Sequence, residues 1–313
     1  MKHTLLLMKA LLPSVMETLE NRYTIHRYWE ADDPDSLLLN IEADCVGVVT
    51  DGGRGVESAI LQRLPKVAIV SVFGVGVDAV DLDYCRQHNI AVTNTPDVLS
   101  DDVADLAIAL ALAVSRQVVV ADQYARQGRW EKEGPMQLTR RLTGKTAGIY
   151  GMGSIGDALA RRLDGFAMQV SYCNRNEKSN SKYRFVSSLT QLAMQVDYLF
   201  ITASANTETI GAVDENVLDA LGPDGYLINV SRGSLIKEPV LVDFLEQHRI
   251  AGAGLDVFVD EPRIPDSLST MDHVVLQPHV ASGTWETRQA MGKLVLDNLE
   301  AHFNQSSLLT PVA

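Results

Sequence analysis

The sequence predicts an α/β protein built on parallel β-sheets. Short apolar runs rich in β-branched residues, among them CVGVVT, VAIVSVF and TAGIYG, alternate along the chain with segments of helical periodicity. Such alternation is typical of parallel strands joined by right-handed helical crossovers. The chain has 313 residues, 46% of them hydrophobic, and at roughly 150 residues per domain this length predicts about two domains.

The individual elements are predicted from composition and from boundary residues. TLLLM, residues 4–8, is interpreted as a first strand, and Pro13 opens a helix that ends near Asn21. A long helix is predicted from Asp101 to Gly128, because an acidic start is followed by a sustained apolar pattern. The last helix is predicted over WETRQAMGKLVLDNLEAHF. The remaining predicted strands are CVGVVT, VAIVSVF, AVTNT, TAGIYG, MQVSYC, DYLFITA, YLINVS, AGAGLDVF and HVVLQP.

The order of these elements places two domain boundaries in the chain. One boundary lies near the start of the long helix, and the other lies where the chain leaves LQPHVASGT. The first domain is therefore expected to be discontinuous, comprising residues 1–98 and 285–313. The second domain is expected to comprise residues 99–284.

Charge and cysteine content exclude several function classes. The 27 basic and 40 acidic residues give a formal net charge of −13, so neither nucleic acid nor an anionic membrane is expected as a partner. Cys45, Cys85 and Cys173 are odd in number and widely spaced, which fits neither a disulfide framework nor a metal site. Reduced thiols favour a cytoplasmic protein. Lys9 interrupts the apolar N-terminal run, which favours a strand over a signal peptide.

The strongest motif is a glycine-rich loop between a strand and a helix. Gly151 allows a tight turn, Gly153 lets the backbone approach a pyrophosphate, and Gly156 lets the helix pack closely on the strand. The strand TAGIY before the loop and the strand MQVSYC after the helix supply the βαβ setting that gives this motif its meaning. The motif predicts a dinucleotide site formed by Gly151, Met152, Gly153, Ser154, Ile155 and Gly156.

The residues after the second strand of this unit bear on the choice of cofactor. About twenty residues beyond the glycine loop, where an acid usually binds the ribose hydroxyls, the chain has Asn174 and Arg175. Asn174 does not repel a 2′-phosphate, and Arg175 offers it a planar fork, with Asn176 and Lys178 on the same loop. The alternative interpretation is an ordinary solvated turn. The residues favour NADP(H) over NAD(H).

Three strand ends each present a polar residue that suits hydride-transfer chemistry. NVSRG, LDVFVDEP and LQPHVASGT place Arg232, Glu261 and His279 where open α/β sheets bind ligands. Reduction of a 2-keto acid needs a cation for the carboxylate and ketone, an acid for the developing alkoxide and an anion to orient that acid. Arg232, His279 and Glu261 fit these roles in that order. Spacing alone leaves a surface ion pair, a core histidine and a helix cap as equal alternatives.

The chain resembles the D-isomer-specific 2-hydroxyacid dehydrogenase family over nearly its whole length. FGVGVD, VTNTPDVLSDDVADLAIAL, GMGSIG, NVSRGSLI, GLDVFVDEP and QPHVASGT all occur in the family's order. The chain is most similar to the branch of hydroxyphenylpyruvate reductases and NADPH-preferring glyoxylate and hydroxypyruvate reductases. The resemblance implies two Rossmann-like domains with a cleft between them, one a flavodoxin-like substrate domain and the other a dinucleotide-binding domain. It also implies NADPH-dependent reduction of a small 2-keto acid to the D-2-hydroxy acid.

The resemblance also assigns roles to individual residues. It implies that Arg232 binds substrate, that His279 is the acid/base and that Glu261 orients His279. Backbone amides around Val75 and Gly76 are implied to hold the substrate carboxylate. Asp256 resembles an aspartate that lies near the nicotinamide amide. Further cofactor contacts are expected at the strand ends, at Val230, Ser231, Asp256, Ser282 and Gly283.

Some expectations stay open at this point. The long helix resembles the family's dimerisation element, so a homodimer is expected. ITASANTET departs from the family, because many relatives carry a Cys-Pro or similar pair where this chain has Ala203 and Ser204. A dinucleotide-sensing corepressor and a short-form phosphoglycerate dehydrogenase are the alternative functions. Glyoxylate, hydroxypyruvate, 2-ketogluconate and an aryl pyruvate all remain candidate substrates.

Overall fold

A computed structural model of the chain describes residues 2–313. The chain divides into two compact units. Unit 1 comprises Met1–Leu99 and Gly283–Ala313, and unit 2 comprises Ser100–Ser282. The sequence placed the boundaries after residues 98 and 284, and the structure divides the chain after residues 99 and 282.

Unit 1 is built on a five-stranded parallel sheet. Its strands are β1 (Thr4–Leu7), β2 (Thr24–Arg27), β3 (Cys45–Asp51), β4 (Ile69–Phe73) and β5 (Ala91–Thr93). Its first helices are α1 (Pro13–Arg22), α2 (Pro34–Ile41), α3 (Ser58–Gln62) and α4 (Leu82–Gln87). The strand order β2-β1-β3-β4-β5 is that of the flavodoxin-like fold. All five residues of β4 are buried, as expected for a central parallel strand covered on both faces.

Unit 2 is built on a seven-stranded parallel sheet. Its strands are β6 (Thr146–Tyr150), β7 (Gln169–Cys173), β8 (Arg184–Phe185), β9 (Tyr198–Ile201), β10 (Tyr226–Asn229), β11 (Gly252–Leu255) and β12 (Val274–Leu276). Its helices are α5 (Ser100–Ser115), α6 (Val118–Arg126), α7 (Arg129–Glu133), α8 (Ser154–Gly165), α9 (Leu189–Ala193), α10 (Glu215–Leu221) and α11 (Glu238–Glu246). The order β12-β11-β10-β9-β6-β7-β8 reverses at β6, which is the switch point of a Rossmann sheet. The predicted fold class is confirmed.

The single long helix predicted from Asp101 to Gly128 is wrong. The chain forms α5 and α6 instead, and their axes differ by 59°. Gln117, between them, adopts the left-handed conformation with φ 50° and ψ 43°. A residue in this conformation ends a helix, and glycine or asparagine usually occupies it. Because glutamine carries no such signal, the apolar pattern appeared to continue without a break.

The apolar surface of α5 is covered within unit 2. Val103, Ala107 and Leu110 are buried, and α5 packs on α8, β10 and β11. Among residues 2–313, no single helix is long and apolar enough to span a membrane, and only the bent pair α5 and α6 meets both criteria together.

The chain returns to unit 1 through its last helix. This helix is α12 (Trp285–Phe303), which has the bounds predicted from the sequence. Thr284 caps it by accepting a hydrogen bond from the Thr287 N–H at 3.2 Å. At Gly292 the helix approaches α1 so closely that a Cβ there would lie 2.3 Å from Val15 Cγ2. The C-terminal segment then joins β5, since the Val92 N–H donates to the Ala313 carbonyl at 2.8 Å.

β2 and β8, which lie at the edges of the two sheets, were not predicted from the sequence. β2 has the sequence TIHR, with no residue fully buried, and β8 is only two residues long. These two strands contribute little to the apolar core, so they lack the continuous hydrophobic runs that identified the other strands.

Candidate active site

The glycine loop connects β6 to α8 at the switch point of the unit 2 sheet. Gly151 has φ 105°, and a Cβ there would lie 2.3 Å from the Ala203 nitrogen, so only glycine fits. A Cβ at Gly156 would lie 2.4 Å from the Gly151 carbonyl oxygen, which shows how closely α8 approaches the loop. The roles predicted for these two glycines therefore follow from the backbone geometry.

Gly153 differs from these two glycines because a Cβ at this position would point into open space. Among the described residues, and apart from the adjoining backbone of the loop and α8, no atom lies within 4 Å of the position that a Gly153 Cβ would take. Gly153 is also the N-cap of α8, where a glycine has no side chain to satisfy the first helical N–H groups. An uncapped helix N-terminus beside open space suits the pyrophosphate of a dinucleotide. The residues present therefore fit the predicted cofactor.

Asn174 is held by the glycine loop itself. Its side-chain oxygen accepts a hydrogen bond from the Met152 N–H at 2.6 Å. This bond joins the end of β7 to the loop after β6, the two places where the sequence predicted cofactor contacts. An aspartate at this position would offer the same hydrogen-bond acceptor, so asparagine and aspartate differ here in charge and not in shape.

The two cations nominated for a 2′-phosphate each have an acidic partner. Arg175 Nε lies 3.0 Å from Glu208 Oε2, and both side chains are mostly exposed. Lys178 Nζ binds the Asp157 carboxylate in the first turn of α8. The Lys178 backbone N–H also donates to the Tyr172 hydroxyl at 2.9 Å. Both cations of this segment, residues 174–178 and hereafter the cofactor loop, are therefore paired with carboxylates.

The loop that carries Arg232 is shaped by a buried asparagine. Asn229 Nδ2 donates to the Arg232 carbonyl at 2.9 Å, and Asn229 Oδ1 accepts from the Ser231 N–H at 3.1 Å. The Ser231 hydroxyl in turn donates to the Ala203 carbonyl. A Cβ at Gly233 would lie 2.0 Å from the Phe258 carbonyl carbon, so the Arg232 loop packs directly on the segment that precedes Glu261.

Glu261 and His279 form the central contact of the site. Glu261 Oε2 accepts a hydrogen bond from His279 Nδ1 at 2.7 Å, and Glu261 Oε1 accepts from the Phe258 N–H at 3.0 Å. Burial opposes ionisation of Glu261, but these hydrogen bonds and the charges of His279 and Arg232 outweigh it and lower its pKa. The ionised carboxylate accepts from Nδ1, which leaves Nε2 of His279 for a ligand.

Asp256 positions the backbone of His279. Its two carboxylate oxygens accept from the N–H groups of Val280 and Ala281 at 2.8 and 2.9 Å. The His279 N–H donates to the Asp256 carbonyl at 2.8 Å. These bonds hold His279 in the left-handed region, with φ 54°. Burial raises the pKa of Asp256, and the two N–H groups partly offset this effect.

The other predicted site residues fall in both units. Val230 is buried after β10, and Ser282 is the last residue of unit 2, while Gly283 begins the second segment of unit 1. The loop with Val75 and Gly76 follows β4 in unit 1, where Asn94 Nδ2 donates to the Val75 carbonyl at 2.8 Å. The contacts predicted for these residues with cofactor and substrate remain predictions.

Several residues of the site were not identified from the sequence. Asn229 contacts the Arg232 carbonyl three residues further on, whereas Glu208 contacts Arg175 from a separate loop. Glu238 accepts from the Val259 N–H at 3.1 Å and so joins α11 to the Glu261 segment. A polar residue at the carboxyl end of a strand was the available signal for Asn229. No spacing rule identifies a residue that acts from a separate loop.

The family that matches this chain is the D-isomer specific 2-hydroxyacid dehydrogenase, NAD binding domain, over residues 108–281. The match includes the glycine loop and the three residues proposed for chemistry. The chain belongs to the D-isomer-specific 2-hydroxyacid dehydrogenase family. This dehydrogenase is therefore an oxidoreductase, and its unit 2 binds a nicotinamide cofactor.

Relatives of this dehydrogenase match nearly its entire length. Hydroxyphenylpyruvate reductase of Plectranthus scutellarioides is 46% identical over 297 residues, or 95% of this chain and 94% of that protein. The 2-ketogluconate reductase of Gluconobacter oxydans is 42% identical over 99% of both chains. The crystal structure of the NADPH-dependent glyoxylate/hydroxypyruvate reductase of Sinorhizobium meliloti, in complex with NADP and malonate, is 40% identical. It superposes with a TM-score of 0.95 over 100% of this chain and 97% of that chain. The predicted family and branch are confirmed.

The different surroundings of Gly153 and Gly156 predict different effects of alanine. Gly153→Ala places a methyl group in open space, so we expect weaker dinucleotide binding, by about tenfold, with little change in melting temperature. Gly156→Ala places a methyl group against the Gly151 carbonyl, so we expect a loss of roughly 1–3 kcal/mol in the free energy of unfolding. Denaturant unfolding and cofactor titration measure the two effects. Equal destabilisation by both changes would contradict the assignment of Gly153 to the cofactor.

Proposed function

We propose that this protein reduces a small 2-keto acid to the D-2-hydroxy acid with NADPH. The observation that carries the proposal is the 2.7 Å hydrogen bond from His279 Nδ1 to Glu261, formed beside Arg232 at the carboxyl ends of neighbouring strands. This arrangement supplies an oriented acid/base and a cation in one place. The names of the relatives, which are all reductases of 2-keto acids, support the same reaction.

Each of the three side chains has one task in the proposed reaction. A nicotinamide cofactor held by the glycine loop from Gly151 to Gly156 would supply the hydride for the ketone carbon. Arg232 binds the substrate carboxylate and polarises the ketone oxygen, because its planar guanidinium matches two oxygens at once. His279 donates a proton from Nε2 to the oxygen as negative charge develops there. Glu261 keeps Nδ1 as the donor to its carboxylate and stabilises the charged imidazole.

The reductases that match this chain over nearly its full length favour catalysis over the corepressor alternative and over phosphoglycerate dehydrogenase. They also leave the 2-keto acid open, since their printed substrates include a hydroxyphenyl pyruvate, 2-ketogluconate and glyoxylate or hydroxypyruvate. An assay of glyoxylate, hydroxypyruvate, 2-ketogluconate and an aryl pyruvate with NADPH separates these substrates. Cofactor binding without turnover of any of them would favour the corepressor alternative.

We infer the preference for NADPH from the end of β7. Asn174 carries no charge to repel a 2′-phosphate, and Arg175 follows it on an exposed loop. The Sinorhizobium meliloti relative is described as NADPH-dependent, and its structure contains NADP. A phosphate on the adenosine ribose would exchange with Glu208 as the partner of Arg175.

We also propose that the protein is a homodimer that associates through the region around α6. Arg116 Nε donates to Thr139 Oγ1 at 2.9 Å, which holds the segment after α7 beside the start of α6. Val118, Val119 and Leu138 lie on these two segments and are exposed, Leu138 completely. A second copy of the chain would cover these apolar side chains. The proposed interface therefore involves α6 and the segment after α7. It does not involve the apolar side chains of α5 that are already buried.

A cytoplasmic location is part of the proposal. Cys45, Cys85 and Cys173 are free and buried. Burial raises the pKa of Cys45 and of Cys85 to about 11, so these thiols are poorly reactive. Free thiols persist in a reducing compartment, which supports the cytoplasm.

The proposed acid/base role predicts a large and specific kinetic effect. We expect His279→Gln to lower kcat by roughly 10²- to 10⁴-fold while dinucleotide binding stays within about twofold. Arg232→Lys should recover little of the activity lost in Arg232→Ala, because an ammonium lacks the planar fork. His248→Gln, an exposed histidine of the same unit, is the control and should keep full activity. Near-normal turnover in His279→Gln would remove His279 from the mechanism.

The proposed cofactor preference is tested at the end of β7. We expect at least about tenfold higher kcat/KM with NADPH than with NADH, or roughly 1.4 kcal/mol. Arg175→Ala should raise KM for NADPH strongly and KM for NADH little, whereas Arg184→Ala, an exposed arginine on β8, should change neither. Asn174→Asp keeps the acceptor for the Met152 N–H and should reverse the preference by repelling the phosphate. Equal loss with both cofactors in Arg175→Ala would argue for a merely solvated turn.

The proposed dimer is tested by placing a charge on its apolar surface. We expect Leu138→Asp to weaken self-association by roughly tenfold or more, because each interface would then bury an unpaired carboxylate. Light scattering during size-exclusion chromatography measures the mass. Leu39→Asp, at an exposed leucine of α2, is the matched control and should leave the dimer intact. A monomer in the unmodified protein would contradict the proposal directly.

A further inference from the structure

The loop after β9 forms a closed turn that presents one carboxylate. Thr209 Oγ1 donates to the Ser204 carbonyl at 2.7 Å and accepts from the Asn206 N–H at 2.8 Å. The Glu208 N–H donates to Asn206 Oδ1 at 2.9 Å. These short-range bonds use the polar residues of SANTET, which begins at Ser204, one of the two positions where the chain departs from the family's usual pattern. The turn fixes where the Glu208 backbone lies.

Glu208 lies near the carboxyl end of β7, where the cofactor loop begins. Its Oε2 is 3.0 Å from Arg175 Nε, and Arg175 directly follows the asparagine that binds the glycine loop. Burial is the main cause of the raised pKa of Tyr150, and the nearby Cys173 and Glu208 raise it further. Tyr150 is the residue before Gly151, so the charge of Glu208 acts on the end of β6 as well as on the end of β7.

We propose that Glu208 is a cofactor-specificity residue that competes with the 2′-phosphate of NADPH for Arg175. The inference rests on the proposed use of NADPH and names a residue that limits it. The sequence lacks the usual acid at the end of β7, and the turn after β9 brings an acid to the neighbouring arginine instead. A carboxylate there repels a phosphate but does not repel a neutral ribose hydroxyl, so its repulsion acts against NADPH only.

The second acidic partner on this loop is less able to play this role. The side chains of Lys178 and Asp157 are 37% and 35% exposed, whereas those of Arg175 and Glu208 are 71% and 64% exposed. Asp157 also lies in the first turn of α8, where the helix dipole stabilises a negative charge. The exposed Arg175–Glu208 pair is weak and screened by salt, so a phosphate exchanges with it readily.

The inference is tested by removing the charge of Glu208 while keeping its shape. Glu208→Gln is compared with Glu246→Gln, which removes one charge at the exposed end of α11. Calorimetry measures the dissociation constants of adenosine 2′,5′-bisphosphate and AMP, and kinetics measure kcat/KM for NADPH and NADH. We expect Glu208→Gln to bind the bisphosphate about three- to tenfold more tightly, with AMP unchanged and a smaller gain at high salt. The Glu246→Gln control should match the unmodified protein.

The outcomes separate this inference from the preference for NADPH. A bisphosphate preference in the unmodified protein that Glu208→Gln leaves unchanged would overturn the inference alone. If the unmodified protein binds bisphosphate and AMP equally and Glu208→Gln prefers the bisphosphate, the NADPH preference is overturned and the inference is supported. Equal binding in both proteins would overturn both. Glu208→Gln is also made in the Arg175→Ala variant. If it then tightens bisphosphate binding as much as it does in the unmodified protein, competition for Arg175 is refuted.

Discussion

The buried carboxylate of Asp256 is the group on which the rest of the site depends. It accepts the N–H groups of Val280 and Ala281, and these bonds hold His279 in a left-handed conformation that a histidine rarely adopts. In that conformation His279 Nδ1 lies 2.7 Å from Glu261 Oε2. Losing one of these acceptors would leave a buried N–H unsatisfied, at a cost of about 1–3 kcal/mol. The backbone geometry of His279, the proposed acid/base, thus depends on the contacts of Asp256 with the two following N–H groups.

Parallel topology explains how these residues meet. Arg232, Glu261 and His279 follow β10, β11 and β12, which are consecutive neighbours in the sheet with their carboxyl ends at one edge. Gly233 then allows the Arg232 loop to pack on the Phe258 backbone, where a side chain has no room. A cation, a carboxylate and an imidazole separated by tens of residues in sequence are brought together by sheet order, and backbone contacts fix their final positions.

At the carboxyl end of β7, the residues proposed to select the cofactor differ from the usual pattern in charge more than in shape. Asn174 occupies a position where an acid would make the same hydrogen bond to the glycine loop, so its neutrality affects the ligand rather than the fold. Arg175 and Lys178 are both paired with carboxylates in the protein as it stands. The proposed 2′-phosphate would therefore replace an existing ion pair, so its net gain in binding free energy would be smaller than that of a phosphate that meets a free cation.

The sequence by itself determined the parallel α/β class, the glycine loop, the last helix and the three residues proposed for chemistry. These features are local, since apolar runs, glycine spacing and polar residues after strands are visible within a few residues of one another. Tertiary structure alone decided the break at Gln117, the edge strands β2 and β8, the role of Asp256 and the approach of Glu208 to Arg175. Each of these depends on contacts between segments distant in the chain or on a backbone conformation without a residue signature, so no periodicity or spacing reveals it.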